Sequence, residues 1–261
     1  QSQKVEIDWK PLGEAERARQ KAENDAAELK RRQAREHEAE LAAMGAADLW
    51  RRAERTGTSP YLQRKGVEPE ACRYLPDGTI VIPLIRYDLP REEALRATQR
   101  IKPDGQKFYT KGFAKPGCAL RLGDPLVCSP MLVLVCEGYA TGLTLRMATS
   151  RRYLVYVALD AGNLQHVVHL LRDLNVGVRI LICGDDDWMT TDHEGKKNNP
   201  GRTVARKVAK EVVRCDFLWP VFNAATRQDK DTDFNDLHLR QGLDAVGWQV
   251  EGVAKQLETM V

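Results

Sequence analysis

Between residues 131 and 221 short apolar runs alternate with longer stretches of helical period. Residues 131–136, 153–159, 178–183 and 214–221 read as strands, and 140–150, 164–174 and 202–213 as helices. Continuous apolar runs are the mark of strands buried on both faces. A helix between successive strands makes those strands parallel. The expected fold is therefore α/β, with a mostly parallel sheet covered by helices. In such sheets ligands bind just beyond the carboxyl ends of the strands.

Acidic residues fall at those ends. Glu137 closes Leu132-Val-Leu-Val-Cys-Glu-Gly-Tyr139, and Asp185 and Asp187 close Arg179-Ile-Leu-Ile-Cys-Gly-Asp-Asp-Asp187. Asp160 follows a third strand. An Asp-rich turn after one strand is most often a helix cap or a solvated loop. Two such turns on one sheet edge make an oxygen-rich site for hard divalent cations, the usual agents of phosphoryl transfer. Asp186, the middle residue, is expected to point away.

The rest of the chain divides by composition. Residues 1–55 read as a charged helical arm, with one long helix over 14–55 that is a candidate for a break near Gly45. Its ten acids and ten bases leave few apolar positions before Leu41, too few for a coiled-coil seam. From Leu41 the pattern becomes amphipathic through Met44, Leu49, Trp50 and Ala53, so that part is expected to pack on the next module, and residues 1–40 to be dispensable for chemistry. Residues 56–126 read as a small basic α/β subdomain with twelve Lys or Arg against eight acids, strands near 79–85 and 97–101, and a loop-rich 112–123. Residues 127–225 hold the parallel sheet. Residues 226–261 form an acidic C-terminal segment, with four bases and seven acids.

The six cysteines show no Cys-x-x-Cys spacing, so no zinc is expected. No apolar run has the length of a membrane span, and no secretory signal pattern is present. The expected location is the cytoplasm. The chain opens on Gln1 in polar sequence and reads as a fragment or a processed product.

Glu137-Gly138 after one strand, followed forty-eight residues on by Asp-x-Asp after another, resembles the Toprim domain. The likeness extends upstream. Tyr61-Leu-Gln-Arg-Lys-Gly66, Gly78-Thr-Ile-Val-Ile-Pro83, Gln106-Lys-Phe-Tyr-Thr-Lys-Gly112 and Glu137-Gly-Tyr139 resemble segments of the bacterial DnaG-type primases. Asp231-Thr-Asp-Phe-Asn-Asp-Leu-His238 and Ala161-Gly-Asn-Leu164 are similar to the phage- and plasmid-type branch. The sequence departs from cellular primases at Thr141, where they carry Asp, and in the longer polar span from Trp188 to Pro200. Their zinc-binding domain and a helicase domain have no counterpart in these residues.

The resemblance implies template-directed synthesis of short primers from nucleoside triphosphates on single-stranded DNA, in a phage or plasmid setting. It implies a site for two Mg²⁺ or Mn²⁺ ions. Asp185 and Asp187 are the first candidates as ligands, with Glu137 as ligand or general base. Asp233 and Asp236 are candidates to complete the site; the other reading of these two is a capped turn around a structural Asn235. Arg64, Lys65, Lys107, Lys111, Lys196 and Lys197 are candidates for nucleotide and template phosphates. Tyr109 and Phe108 are candidates for base stacking, although Phe108 also suits a core position. The segment 14–55 is a candidate docking arm for a helicase or template-binding module. A metal-dependent nuclease using the same carboxylates, and a non-catalytic nucleic-acid-binding accessory, are the alternative functions.

Overall fold

A computed structural model of the chain describes residues 13–191 and 194–259; residues 1–12 of the expected arm lie outside them. The chain opens with α1 (Glu14–Arg52), uninterrupted at Gly45, and continues through α2 (Pro60–Lys65). Four strands then form an antiparallel meander: β1 (Arg73–Tyr74), β2 (Ile80–Ile85), β3 (Leu95–Ile101) and β4 (Lys107–Tyr109). The second sheet contains β5 (Leu120–Leu122), β6 (Leu132–Cys136), β7 (Leu154–Val157), β8 (Arg179–Cys183) and β9 (Cys215–Leu218), in the order β5-β7-β6-β8-β9. All its pairings are parallel except that of β5 with β7. Helices α3 (Tyr139–Ala148), α4 (Ala161–Leu174) and α5 (Pro200–Glu211) make the crossovers, and α6 (Phe234–Gln241) and α7 (Leu243–Thr259) end the chain.

Strand periodicity divides the core. Side chains alternate between the faces of a strand. Leu132, Leu134 and Cys136 of β6 accordingly join α3, α6, α7 and the meander in one apolar cluster. Val133 and Val135 join α4 and α5 in the other. The central strands β6 and β8 are direct neighbours, with Val135 opposite Ile182. Their carboxyl ends therefore deliver Glu137 and Asp185 side by side.

Three features differ from the sequence reading. Residues 120–122, read as loop in the basic subdomain, form the antiparallel edge strand of the large sheet. The C-terminal segment is two helices, whose Phe234, Leu237, Val246 and Val250 are fully buried. Helix α1 does not pack through Leu41 and Met44, which are 55% and 69% exposed. It lies on the meander through Ala39, Ala42, Ala43 and Ala46, all buried. Small side chains let a helix backbone approach a sheet closely, and the larger apolar residues are left on the outer face.

The seat of α1 is reinforced by polar contacts. Glu40 pairs with Arg96 of β3. Arg73 lies over the Trp50 ring at 4.6 Å and donates to the Trp50 carbonyl at 2.6 Å. Residues 15–26 are exposed throughout and are held only by surface pairs such as Arg19–Glu23 at 2.9 Å, each worth a few tenths of a kcal/mol or about that. The part of the arm that adds little to stability thus ends before the buried Ala39. Removing residues 1–30 is expected to shift the melting temperature by less than about 2 °C. Removing residues 1–46, and with them the alanine face, is expected to lower it by roughly 5–10 °C. Thermal melts of the two truncations check this.

Candidate active site at the carboxyl edge of the sheet

Glu137 stands immediately after β6. Its Oε1 is buried without a hydrogen-bond partner. Burial, then the negative charges of Asp187, Asp160 and Asp233, push its pKa from an ordinary 4.5 up to about 7. Asp185 stands two residues after β8, and its Oδ1 is likewise buried and unpartnered. Burial first, then Glu137, Asp233, Asp187 and Asp236, hold its carboxyl well above the usual range. Both shifts share one cause: carboxylates are gathered in a poorly solvated place with too little positive charge.

The turn after β8 shows how the sequence builds this. Asp187 Oδ2 accepts the Gly201 backbone N–H at 3.0 Å, and Asn199 Oδ1 accepts the Asp187 N–H at 3.1 Å. A Cβ on Gly201 would stand 2.5 Å from the Asp185 carbonyl oxygen, so the first turn of α5 reaches the acidic turn only because residue 201 is glycine. Asp186 behaves as its central position suggests. It is 1% exposed and is met by Arg202 and Arg227, each with a nitrogen 2.9 Å from Oδ2. The middle carboxylate of the run is compensated, whereas among the described residues the two buried carboxylate oxygens left without a partner belong to Glu137 and Asp185.

The C-terminal motif forms the capped turn around Asn235, and its acids adjoin the carboxylate cluster. Asp233 is the N-cap of α6 and forms a reciprocal capping box with Asp236. Asn235 is fully buried and donates to the Lys65 carbonyl at 2.8 Å and to the Thr144 hydroxyl at 3.0 Å. Asp236 uses Oδ2 for the Thr232 and Asp233 N–H groups, and its Oδ1 lies 3.6 Å from Lys65 Nζ. Burial and the Asp233 charge raise its pKa. Asp233 lies nearer the cluster's centre, since its charge acts on both Glu137 and Asp185. Its Oδ2 accepts the hydroxyl of Thr141 at 2.8 Å. The residue that departs from the cellular pattern thus binds an acid from the C-terminal motif.

The basic candidates separate. Lys65 is at the rim of the cluster, while Arg64 donates to the Pro103 carbonyl and ties α2 to the turn before β4. Lys107 and Lys111 are exposed on and just after the edge strand β4. Tyr109 is half-buried and stacks on Phe113 at 5.7 Å. Burial first, then Asp160, raise its pKa, which places it near the acids. Phe108 is the open aromatic, 39% exposed, with Lys102 Nζ 5.0 Å from its ring centre; it is not a core residue. Lys196 and Lys197 lie exposed on the polar span after Asp187. Lys115 was not singled out in the sequence, yet its Nζ is 2.7 Å from Asp160, which caps α4 beside Glu137. Its only signal was a base within a glycine-rich loop.

Among the described residues, no three His, Cys, Asp or Glu side chains already close on one ion position. The donor set nevertheless fits a hard cation: all-carboxylate oxygens, two of them buried without partners, with mutual repulsion that a divalent ion would relieve. Residues 132–244 match the Toprim-domain profile. That stretch of the chain is similar to Toprim domains. The match includes the Asp231–His238 motif, beyond the end of the sheet.

Two curated Escherichia coli relatives, each named DNA primase TraC, align over 231 residues. They are 34% and 30% identical and cover 84% and 85% of this chain. The chain spans only 20% and 15% of their lengths. The structure of a DnaG primase catalytic domain bound to single-stranded DNA superposes with a TM-score of 0.51 at 14% identity, covering 83% of this chain and 80% of that one. That likeness is one of fold. The resemblance to Toprim DNA primases and the α/β architecture read from the motifs are both borne out.

Proposed function

We propose that this Toprim domain and the basic meander before it form the catalytic core of a DNA primase, joining nucleoside triphosphates on a single-stranded template. The observation that carries the reading is the pair of buried, unpartnered carboxylate oxygens of Glu137 and Asp185 at the ends of neighbouring strands. The relatives' names support the reaction, and the DnaG likeness supports the fold on which it runs.

Asp185, Asp187 and Glu137 would hold Mg²⁺ or Mn²⁺, with Asp233 completing the set. Such ions, when bound, neutralise phosphate charge and acidify a hydroxyl nucleophile. The chain's own residues arrange the rest. The Gly201 N–H orients Asp187. Thr141 fixes Asp233. Lys65 and Lys115 place positive charge at the rim, where phosphates would approach. Exposed Phe108, flanked by Lys102 and Lys107, offers a stacking face for an unpaired base.

Template-dependent incorporation of labelled nucleotide, run with Mg²⁺ and Mn²⁺ in parallel, tests the reading. Short products that need template, triphosphates and a divalent cation are expected. Cleavage of labelled DNA without triphosphates would instead make the same carboxylates a nuclease site.

The template surface has its own test. Affinity for single-stranded DNA is expected to fall log-linearly with salt, by about 0.7 in slope for each phosphate neutralised. Lys107→Ala with Lys111→Ala is expected to weaken binding roughly tenfold at low salt and to flatten the slope by about 1.4. Fluorescence anisotropy at several salt concentrations measures both. An unchanged slope would move the template path off β4.

A further inference from the structure

Beside the acidic turn, on the span that follows it, the structure forms a cavity of about 290 Å³ whose walls include Trp188, Lys197, Asn198, Arg202 and Arg227 around Asp186. Its charge is opposite to that of the carboxylate cluster. Two guanidiniums face the single carboxylate of Asp186, and the amide of Asn199 donates to its Oδ1 at 2.6 Å. The three ionised groups sum to one positive charge, and exposed Lys197 adds a second.

The buried hydrogen-bonding group left unmet at the Asp186 wall is a donor. The Trp188 indole N–H is buried and has no partner, and indole only donates. A buried donor left unmet costs on the order of 1–3 kcal/mol. Arg227 lies over the Trp188 ring at 4.6 Å and also over Phe222 at 4.6 Å, which fixes the edge that carries this N–H. Arg202 is held over Trp219 at 4.2 Å. The cavity therefore presents the unmet Trp188 donor amid net positive charge, and its one acid is occupied, while the Arg227 nitrogens are held by Asp186 and the Asp231 carbonyl. The complement is an anion rich in acceptor oxygens. Asn199 links the cavity to the cluster, because its side chain holds both the Asp187 N–H and Asp186.

We propose that this cavity is a phosphate subsite that takes the di- or triphosphate tail of a nucleotide whose reacting end lies at the carboxylates. That the nucleotide is an incoming triphosphate rests on the primase reading; the anion site itself does not. Placed here, the tail would be bound by protein donors, separately from any cation held by Glu137, Asp185 and Asp187.

The test is calorimetric titration of the full chain with inorganic pyrophosphate and with tripolyphosphate, in EDTA and without DNA. Both are expected to bind. Trp188→Phe keeps an aromatic face, smaller than indole, and removes the donor; Lys197→Ala removes a charge at an exposed position. Each is expected to weaken both ligands about five- to twentyfold, with melting temperatures unchanged. In turnover, Lys197→Ala is expected to raise KM for the triphosphate by the same factor and to leave kcat in place. No binding by the wild-type chain overturns the proposal, as does equal binding by both variants. Variants that lose affinity for single-stranded DNA while keeping pyrophosphate affinity would give the span to the template instead. Absent primer synthesis together with variant-sensitive pyrophosphate binding would reject the primase reading and retain the subsite.

Discussion

The double variant Asp185→Asn, Asp187→Asn is expected to lose primer synthesis by about a thousandfold or more, and to melt higher than the wild-type chain when both are free of metal at pH 8. The two halves have one origin. Hard cations need anionic oxygen, so neutral amides cannot replace these ligands. The same charges oppose folding when no cation is present. Glu137, raised from 4.5 to about 7, keeps its proton in the folded chain at pH values where the unfolded chain has lost it. Asp185 is displaced in the same direction. The folded state therefore binds more protons than the unfolded state above pH 4.5, and stability falls as pH rises towards 7. Above that range the full cost is present, on the order of 1–3 kcal/mol for Glu137 alone. In EDTA the wild-type chain should melt several degrees lower at pH 8 than at pH 5.5, and Mg²⁺ or Mn²⁺ should restore most of the difference. The variant should show a smaller pH dependence and little response to cation. Melts at both pH values, with and without cation, read the stability half, and nucleotide incorporation reads the other. Wild-type turnover in the variant would remove Asp185 and Asp187 from the chemistry.

What the sequence disclosed depends on the range over which each feature is specified. The ends of β6 and β8 were legible because a five-residue apolar run and the acid after it are local facts. The outward turn of Asp186 followed from its place between two residues of shared orientation. The edge strand β5 was not legible, because only three residues, 120–122, pair with β7, within glycine-rich sequence. Nor was the packing face of α1. Hydropathy favours Leu41 and Met44, but close approach to β3 favours Ala39, Ala42, Ala43 and Ala46, and packing geometry prevailed. The Lys115–Asp160 pair and the Thr141–Asp233 bond span 45 and 92 residues. No local pattern encodes such pairings, so Lys115 read as an unremarked base and Thr141 as a departure from the cellular pattern with no partner named for it.

That Thr141–Asp233 bond makes a strong prediction from a single side chain. Thr141 is 1% exposed, and its hydroxyl stands 2.8 Å from Asp233 Oδ2. Thr141→Asp would put a further carboxylate against Asp233, beside Glu137 and Asp185. Two carboxylates at hydrogen-bonding distance cannot both ionise without strong repulsion. In EDTA at pH 8 the variant is expected to lose roughly 2–4 kcal/mol, or about 5–12 °C in melting temperature. At pH 5.5 a proton shared between the two acids should recover much of that loss. Mn²⁺ at pH 8 should recover it as well, because an added carboxylate ligand stabilises the bound cation. Thr141→Val separates charge from the lost hydrogen bond. It removes the donor without adding an acid, so it should cost only about 1–2 kcal/mol and show little dependence on pH or Mn²⁺. If Thr141→Asp melts like the wild-type chain in EDTA at pH 8, Asp233 is not an ionised neighbour of residue 141. The carboxylate set would then shrink to Glu137, Asp185 and Asp187. If the loss appears and both acid pH and cations reverse it, the hydroxyl at 141 is what lets a C-terminal acid enter the cluster without overloading it with charge.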